Sequence, residues 1–294
     1  MPTQAQMQAF TNFTLQVQLP PNPVRNLDNS LTPAQTSGQS FFNGPRPADG
    51  INLPGLNLLL GPSTFTCNGC HELDPANGQF GTSTNASFEG ITQIFKIPQL
   101  RNMYTKIGMF GLPAVSFFDG LDTGNTGPQV RGFGFTNDGT VDTMFDFFHA
   151  EVFNPLPTSG FPLINPDATR RDVEQFVLAF DSDLAPIVGQ QITLTSQNSA
   201  VAGPRVTLLE QRAAAPFTSK LLGGTVTECD LVASVAQNGS IRGFLFSPTD
   251  GIFASSAGTT LTDSALRALA ATAGQEVTFT CVPPGSGSRV AFAQ

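Results

Sequence analysis

Apolar positions recur at helical spacing in the first two thirds of the chain and in short alternating runs in the last third. Met7, Phe10, Thr14 and Val17 mark a helix within residues 3–18, which Pro20, Pro21 and Pro23 close. A second helix opens with Thr32 as N-cap and Pro33 at its first position and runs to about Phe42. Residues 43–66 and 111–139 read as Gly/Pro/Asn loops, the latter closing on Asn137-Asp138-Gly139. Thr140 is expected to cap a short helix carrying Met144, Phe145 and Phe148, and a clearer helix spans about Ala168 to Phe180, with Val173, Phe176, Val177 and Phe180 as its stripe.

Beyond Gly189 one more helix is expected near 200–213. Cys229–Gln237 and Ser240–Phe246 then read as two strands joined by Asn238-Gly239, a strong hairpin signal, and Pro248-Thr249-Asp250-Gly251 reads as a second turn. Thr262 caps a helix with Leu266, Leu269 and Ala270, and Glu276–Val282 forms a last strand. The pattern predicts an N-terminal helix and Pro-rich linker (1–26), a mainly α, loop-rich module (27–189) and a small α+β module (190–294).

The chain has 294 residues, of which 26 are Phe, while only 12% are charged. That is enough apolar material for a packed core with a neutral surface rather than a disordered chain. A net charge of -8 disfavours nucleic acid or an anionic membrane as partner. The longest apolar run, Leu56 to Leu60 broken by Asn57, is far short of the roughly 18 residues that a membrane helix needs.

Four cysteines and two histidines carry the chemistry. Cys67-Asn68-Gly69-Cys70-His71 has the C-x-x-C-H spacing of covalent haem attachment: two thiols, turned toward one edge of a haem, add to its vinyl groups, and His71 becomes the proximal iron ligand. A zinc site would need paired ligands that the other cysteines do not offer. A thioredoxin-type pair would need a strand before it and a helix after it.

Five segments extend the reading: NPVRNLDNSLTPAQTSGQSFF, CNGCH, FKIPQLRN, NDGTVDTMFDFF and RRDVEQFVLAF, spread over residues 22–180, about half the chain. In this order they resemble the electron-transfer haem half of the bacterial di-haem cytochrome c peroxidase and MauG-like superfamily, with FKIPQLRN similar to its K-x-P-x-L-R-N and NDGTVDTM to its H-D-G-x-x-x-T-L. The family's enzymes carry two haem motifs and this chain has one. Its T-A-P-Y-M-H-D-G is split here, Thr105 to Met109 resembling the first part and Thr136 to Gly139 the last. The resemblance implies a cytochrome c-like domain with one haem c bound through Cys67 and Cys70.

Met109 falls where the family's axial Met stands and lies between glycines, in Gly108-Met109-Phe110-Gly111, so it is the expected distal ligand. His149 is the alternative; Met103 and Met144 are expected to pack. Arg101 is the expected haem-propionate partner, its planar fork suited to a carboxylate, whereas Lys96 is expected to be solvated. Phe65, Phe95, Leu100 and Phe110 are expected to wall the haem edge. Glu72 and Glu89 follow the motif without a distal role.

Haem attachment implies an oxidising compartment, in which Cys229 and Cys281 are expected to form a disulfide that closes a loop of about 50 residues and contributes roughly 3–4 kcal/mol. The expected fold is thus a mainly α, cytochrome c-like haem domain followed by a disulfide-stapled α+β domain. The expected role is electron transfer to a transient redox partner protein, with a haem peroxidase or a haem-bearing surface assembly or adhesion protein as alternatives. A periplasmic or extracellular location is expected, although residues 1–20 hold no signal peptide, so the signal has been removed or further domains of a longer exported chain precede this one.

Overall fold

A computed structural model of the chain describes residues 1–14, 17–48, 66–83, 95–108, 132–220, 222–237 and 239–293. The protein divides into two compact units, one of residues 22–26 and 30–182, the other of residues 1–21, 27–29 and 183–294.

The first unit contains α2 (Pro33–Phe42), a single helical turn α3 (Cys67–Cys70), strands β1 (Leu73–Asp74) and β2 (Gln79–Phe80), the short α4 (Met144–Phe147) and α5 (Pro166–Leu178). Local chemistry sets α2: the Thr32 hydroxyl accepts from the Gln35 amide, the Gln35 side chain accepts from the Thr32 amide, and Pro33 occupies the first turn, where no N–H is needed. Helices α2 and α5 meet at Gly38, where a Cβ would fall 2.0 Å from the Asp172 carbonyl oxygen. Phe42, Phe176 and Phe180 interlock edge-to-face at their crossing, with ring centroids 5.3 to 5.7 Å apart. The buried Asn22 side chain donates to the Leu178 and Phe180 carbonyls, satisfying the C-terminal end of α5. Thr143, not Thr140, caps α4, because the Thr140 hydroxyl is engaged with Asp138 while the Thr143 hydroxyl accepts from the Asp146 amide.

Arg46 is the staple of this unit. Its Nε donates to the Gly160 carbonyl at 2.7 Å, and its Nη2 lies within reach of the carbonyls of Leu156 (2.6 Å) and Ser159 (2.9 Å). This holds the turn that stacks Phe161 on Phe41. Arg46→Met is expected to remove the side-chain donor from these carbonyls, Ser159 alone keeping the Leu156 amide, and to cost on the order of 2 kcal/mol in urea unfolding. Arg46→Lys, lacking the fork, is expected to recover only part of the loss.

The second unit is built on an antiparallel sheet of six strands in the order β3-β10-β6-β7-β8-β9. They are β3 (Gln191–Leu194), β6 (Asp230–Gln237), β7 (Ser240–Ser247), β8 (Ile252–Ser255), β9 (Thr260–Thr262) and β10 (Val277–Val282), with β4 (Pro216–Ser219) and β5 (Gly224–Thr227) as a separate pair. Alternation sorts the faces. Leu231, Ala233 and Val235 of β6 and Val277, Phe279 and Cys281 of β10 pack with Val206, Leu209 and Ala213 of α6 (Ser199–Ala214) and Leu266 of α7 (Asp263–Leu269). Val232 and Val282 instead meet Ala291 of α8 (Gly287–Phe292). Between β6 and β7 the register pairs Gln237 with Ser240, and Gly239 has the positive φ of 78° that a tight hairpin demands. Cys229 and Cys281 form the expected disulfide. The N-terminal helix α1 (Gln4–Thr14) buries none of its residues, so Met7, Phe10 and Phe13 of its apolar stripe are exposed.

The mainly α expectation is corrected by this architecture. The largest element is the six-stranded sheet, and the helices around the C-x-x-C-H motif are few and short, of 10, 4, 4 and 13 residues among those described. Among the described residues of that unit, turns and irregular connections outnumber helical positions, and the chain is a mixed α and β protein. No helix among the described residues is long and apolar enough to cross a membrane.

Candidate functional site

Thr66 starts the haem-motif turn by accepting a hydrogen bond from the Gly69 amide at 2.8 Å. One turn of helix then puts Cys67 and Cys70, three residues apart, on the same face. Both are free thiols, and both open into one cavity of about 300 Å³. His71 leaves the turn at φ -106°, ψ 61°, with its amide donating to the Cys67 carbonyl, and its imidazole enters the same cavity.

Two carbonyls orient that imidazole. Nδ1 lies 2.9 Å from the Gly81 oxygen and 3.1 Å from the Pro98 oxygen, so Nδ1 carries the proton and Nε2 keeps its lone pair. Burial pulls the His71 pKa below its ordinary value, with the two carbonyls opposing, and the net direction favours the neutral ring that can ligate a metal. Gly81 must be glycine: its φ is +76°, and a Cβ would lie 2.7 Å from the Leu100 side chain. The segment FKIPQLRN supplies the Pro98 oxygen and buries Ile97 and Leu100, while the Leu100 amide donates to the Phe80 carbonyl of β2.

The remaining wall comes from distant sequence: Phe42 of α2, Met103, Phe135, Met144 of α4, and Val173 and Val177 of α5. Capping by Thr143 places Met144 at the first position of α4, where it is buried, and Met103 is buried as well. Two thioethers therefore face the space that also holds the thiols and the imidazole. Met109, Phe65, Phe110 and Glu89 lie outside the described residues. Phe95 and Leu100 stand on the wall as read from the sequence, Lys96 is exposed as expected but also lines the cavity, and Glu72 is exposed and does not line it.

Two expected residues are placed elsewhere. His149 is not among the lining residues; its Nδ1 is 2.9 Å from the Phe145 carbonyl and its Nε2 is 3.2 Å from Asp167, so both nitrogens face oxygens rather than the cavity. Arg101 lies 4.5 Å over the Phe80 ring and donates to Gln99, and it too is not a lining residue. The cations among the described lining residues are Lys96 and Lys106. Sequence reading passed over Lys106 and preferred packing to ligation for Met103 and Met144, and Thr105-Lys106-Ile107 carries no spacing that marks the lysine.

Burial pushes the Cys67 thiol up to about 12, with the neighbouring Cys70 adding to the shift, and burial also raises Cys70. Both are therefore protonated at neutral pH, the opposite of a redox-active or zinc-binding thiolate pair. Among the described residues no group of three or more His, Cys, Asp or Glu is arranged to hold a metal ion. No protein-family model matches the chain, and neither does any curated protein or solved structure.

Proposed function

We propose that the unit holding Cys67 to His71 is a single-haem c-type cytochrome domain that transfers electrons to a transient redox partner. One observation carries the reading: two thiols on one helical face and an imidazole with its Nε2 lone pair available converge on the same apolar cavity. Each thiol would add across a vinyl double bond, sulfur to one carbon and hydrogen to the other, with no net oxidation. The bound haem supplies a one-electron couple, whose potential the apolar wall and the axial ligands tune. Neutral thiols suit this role, because they are consumed once as thioethers and never cycle. His71 would hold the haem iron through Nε2, and a thioether would supply the second iron ligand: Met109 by its place in the sequence, Met144 or Met103 by their place on the described wall.

The peroxidase alternative gains no support from the wall. Among the described lining residues there is no carboxylate and His71 is the one imidazole, so those residues offer no carboxyl group or second imidazole for acid/base work. The disulfide and the thioethers both suit an oxidising compartment, and a periplasmic or extracellular location is part of the proposal.

Ferric spectra and potentiometry of Met109→Ala, Met144→Ala and Met103→Ala test the ligation. Removing the ligand is expected to abolish the thioether-to-iron charge-transfer band and lower the potential. A substitution that only removes packing is expected to cost about 2–5 kcal/mol and keep the band. Three variants with the parental spectrum would overturn thioether ligation.

A further inference from the structure

Lys106 ends the 3-10 turn Met103–Lys106, half-buried on the cavity wall, and its backbone carbonyl is fixed by the Gly134 amide at 2.8 Å. Its ammonium has no acidic partner among the described residues. A cation held beside an apolar cavity is unfavourable unless something in that cavity carries the opposite charge. Lys96 also lines the cavity but is exposed to solvent, where water satisfies it. Arg101 is already stacked on Phe80 and bonded to Gln99.

We infer that Lys106 is a positioning residue that forms an ion pair with a carboxylate of the cavity's ligand, which on the haem reading is a haem propionate. The inference rests on that reading and extends it, because it sets which edge of the ring lies toward the Met103–Lys106 turn. A single half-buried ammonium stabilises an ionised propionate and so lowers the pH at which that group protonates.

The test is the midpoint potential of the haem-loaded chain against pH, by spectroelectrochemistry, for the unsubstituted protein, Lys106→Gln and Lys106→Arg. Protonation of a propionate removes negative charge near the iron, so the potential rises as pH falls through that step. The ion pair predicts that Lys106→Gln moves the step to higher pH by about one unit and that Lys106→Arg returns it. A lysine that merely packs would change stability and leave the step in place. One haem per chain together with an unmoved step in Lys106→Gln overturns the ion pair alone. An unsubstituted chain that binds no haem overturns the cytochrome reading itself.

Discussion

Replacing Cys67 and Cys70 together by Ser, in a host that attaches haem, is expected to yield protein with no covalently bound porphyrin. Acid–acetone extraction should then strip all of the pigment, whereas the parental chain should retain it. Each single substitution is expected to keep one thioether, read as a pyridine haemochrome intermediate between non-covalent and doubly tethered haem. The reason is geometric: the two thiols share one face of a single turn and open into one cavity, so each has its own bond to make and neither substitutes for the other. The turn should survive the change, because Thr66 capping and the His71-to-Cys67 backbone bond do not involve sulfur. Retention of acid-stable pigment in the double variant would remove the thioether assignment.

The second large effect concerns the sheet unit. Cys229 and Cys281 are both buried, and their bond closes a sequence separation of 52 residues. On loop-entropy grounds Cys229→Ala with Cys281→Ala is expected to cost about 4 kcal/mol, seen as a lower urea midpoint. Reduction by dithiothreitol in mild denaturant should produce a comparable loss. A change below about 1 kcal/mol would mean that the register of β10 on β6, which pairs Cys281 with Leu231, already constrains the chain without the bond.

The parts of the fold visible in the sequence are those fixed by chemistry within one turn. Thr32-Pro33 announces α2 because capping is local, and the Val173, Phe176 and Val177 stripe announces α5 because its apolar face must be buried. The strand pair β6 and β7 was legible from eight-residue alternation flanking Asn238-Gly239, of which Asn238 lies outside the described residues. Strands β3, β4, β5, β8 and β9, of three or four residues each, are too short for a period of two to stand out. The closing α8 follows Gly285-Ser286 and has no reading from the sequence, yet Ala291 is buried against β6 and β7. The mainly α expectation overweighted a few helical stripes and underweighted these short strands.

The site divides the same way. Cys67, Cys70 and His71 were legible because the chemistry of attachment fixes their spacing, and the Pro98 carbonyl lies within the FKIPQLRN segment already singled out. The opposite wall was not legible. Phe42, Met103, Lys106, Phe135 and Val177 come together only through the packing of α2, α5 and the turns between them, across a long stretch whose spacing carries no signal.

Intact-mass spectrometry with a pyridine-haemochrome count, on the unsubstituted chain matured in a cytochrome-assembling host, tests the central claim most directly. The expected result is one haem per chain, a mass raised by one porphyrin, and no thiol at position 67 or 70 left to alkylate. A colourless chain of bare polypeptide mass, with both thiols open to alkylation after unfolding, would contradict it.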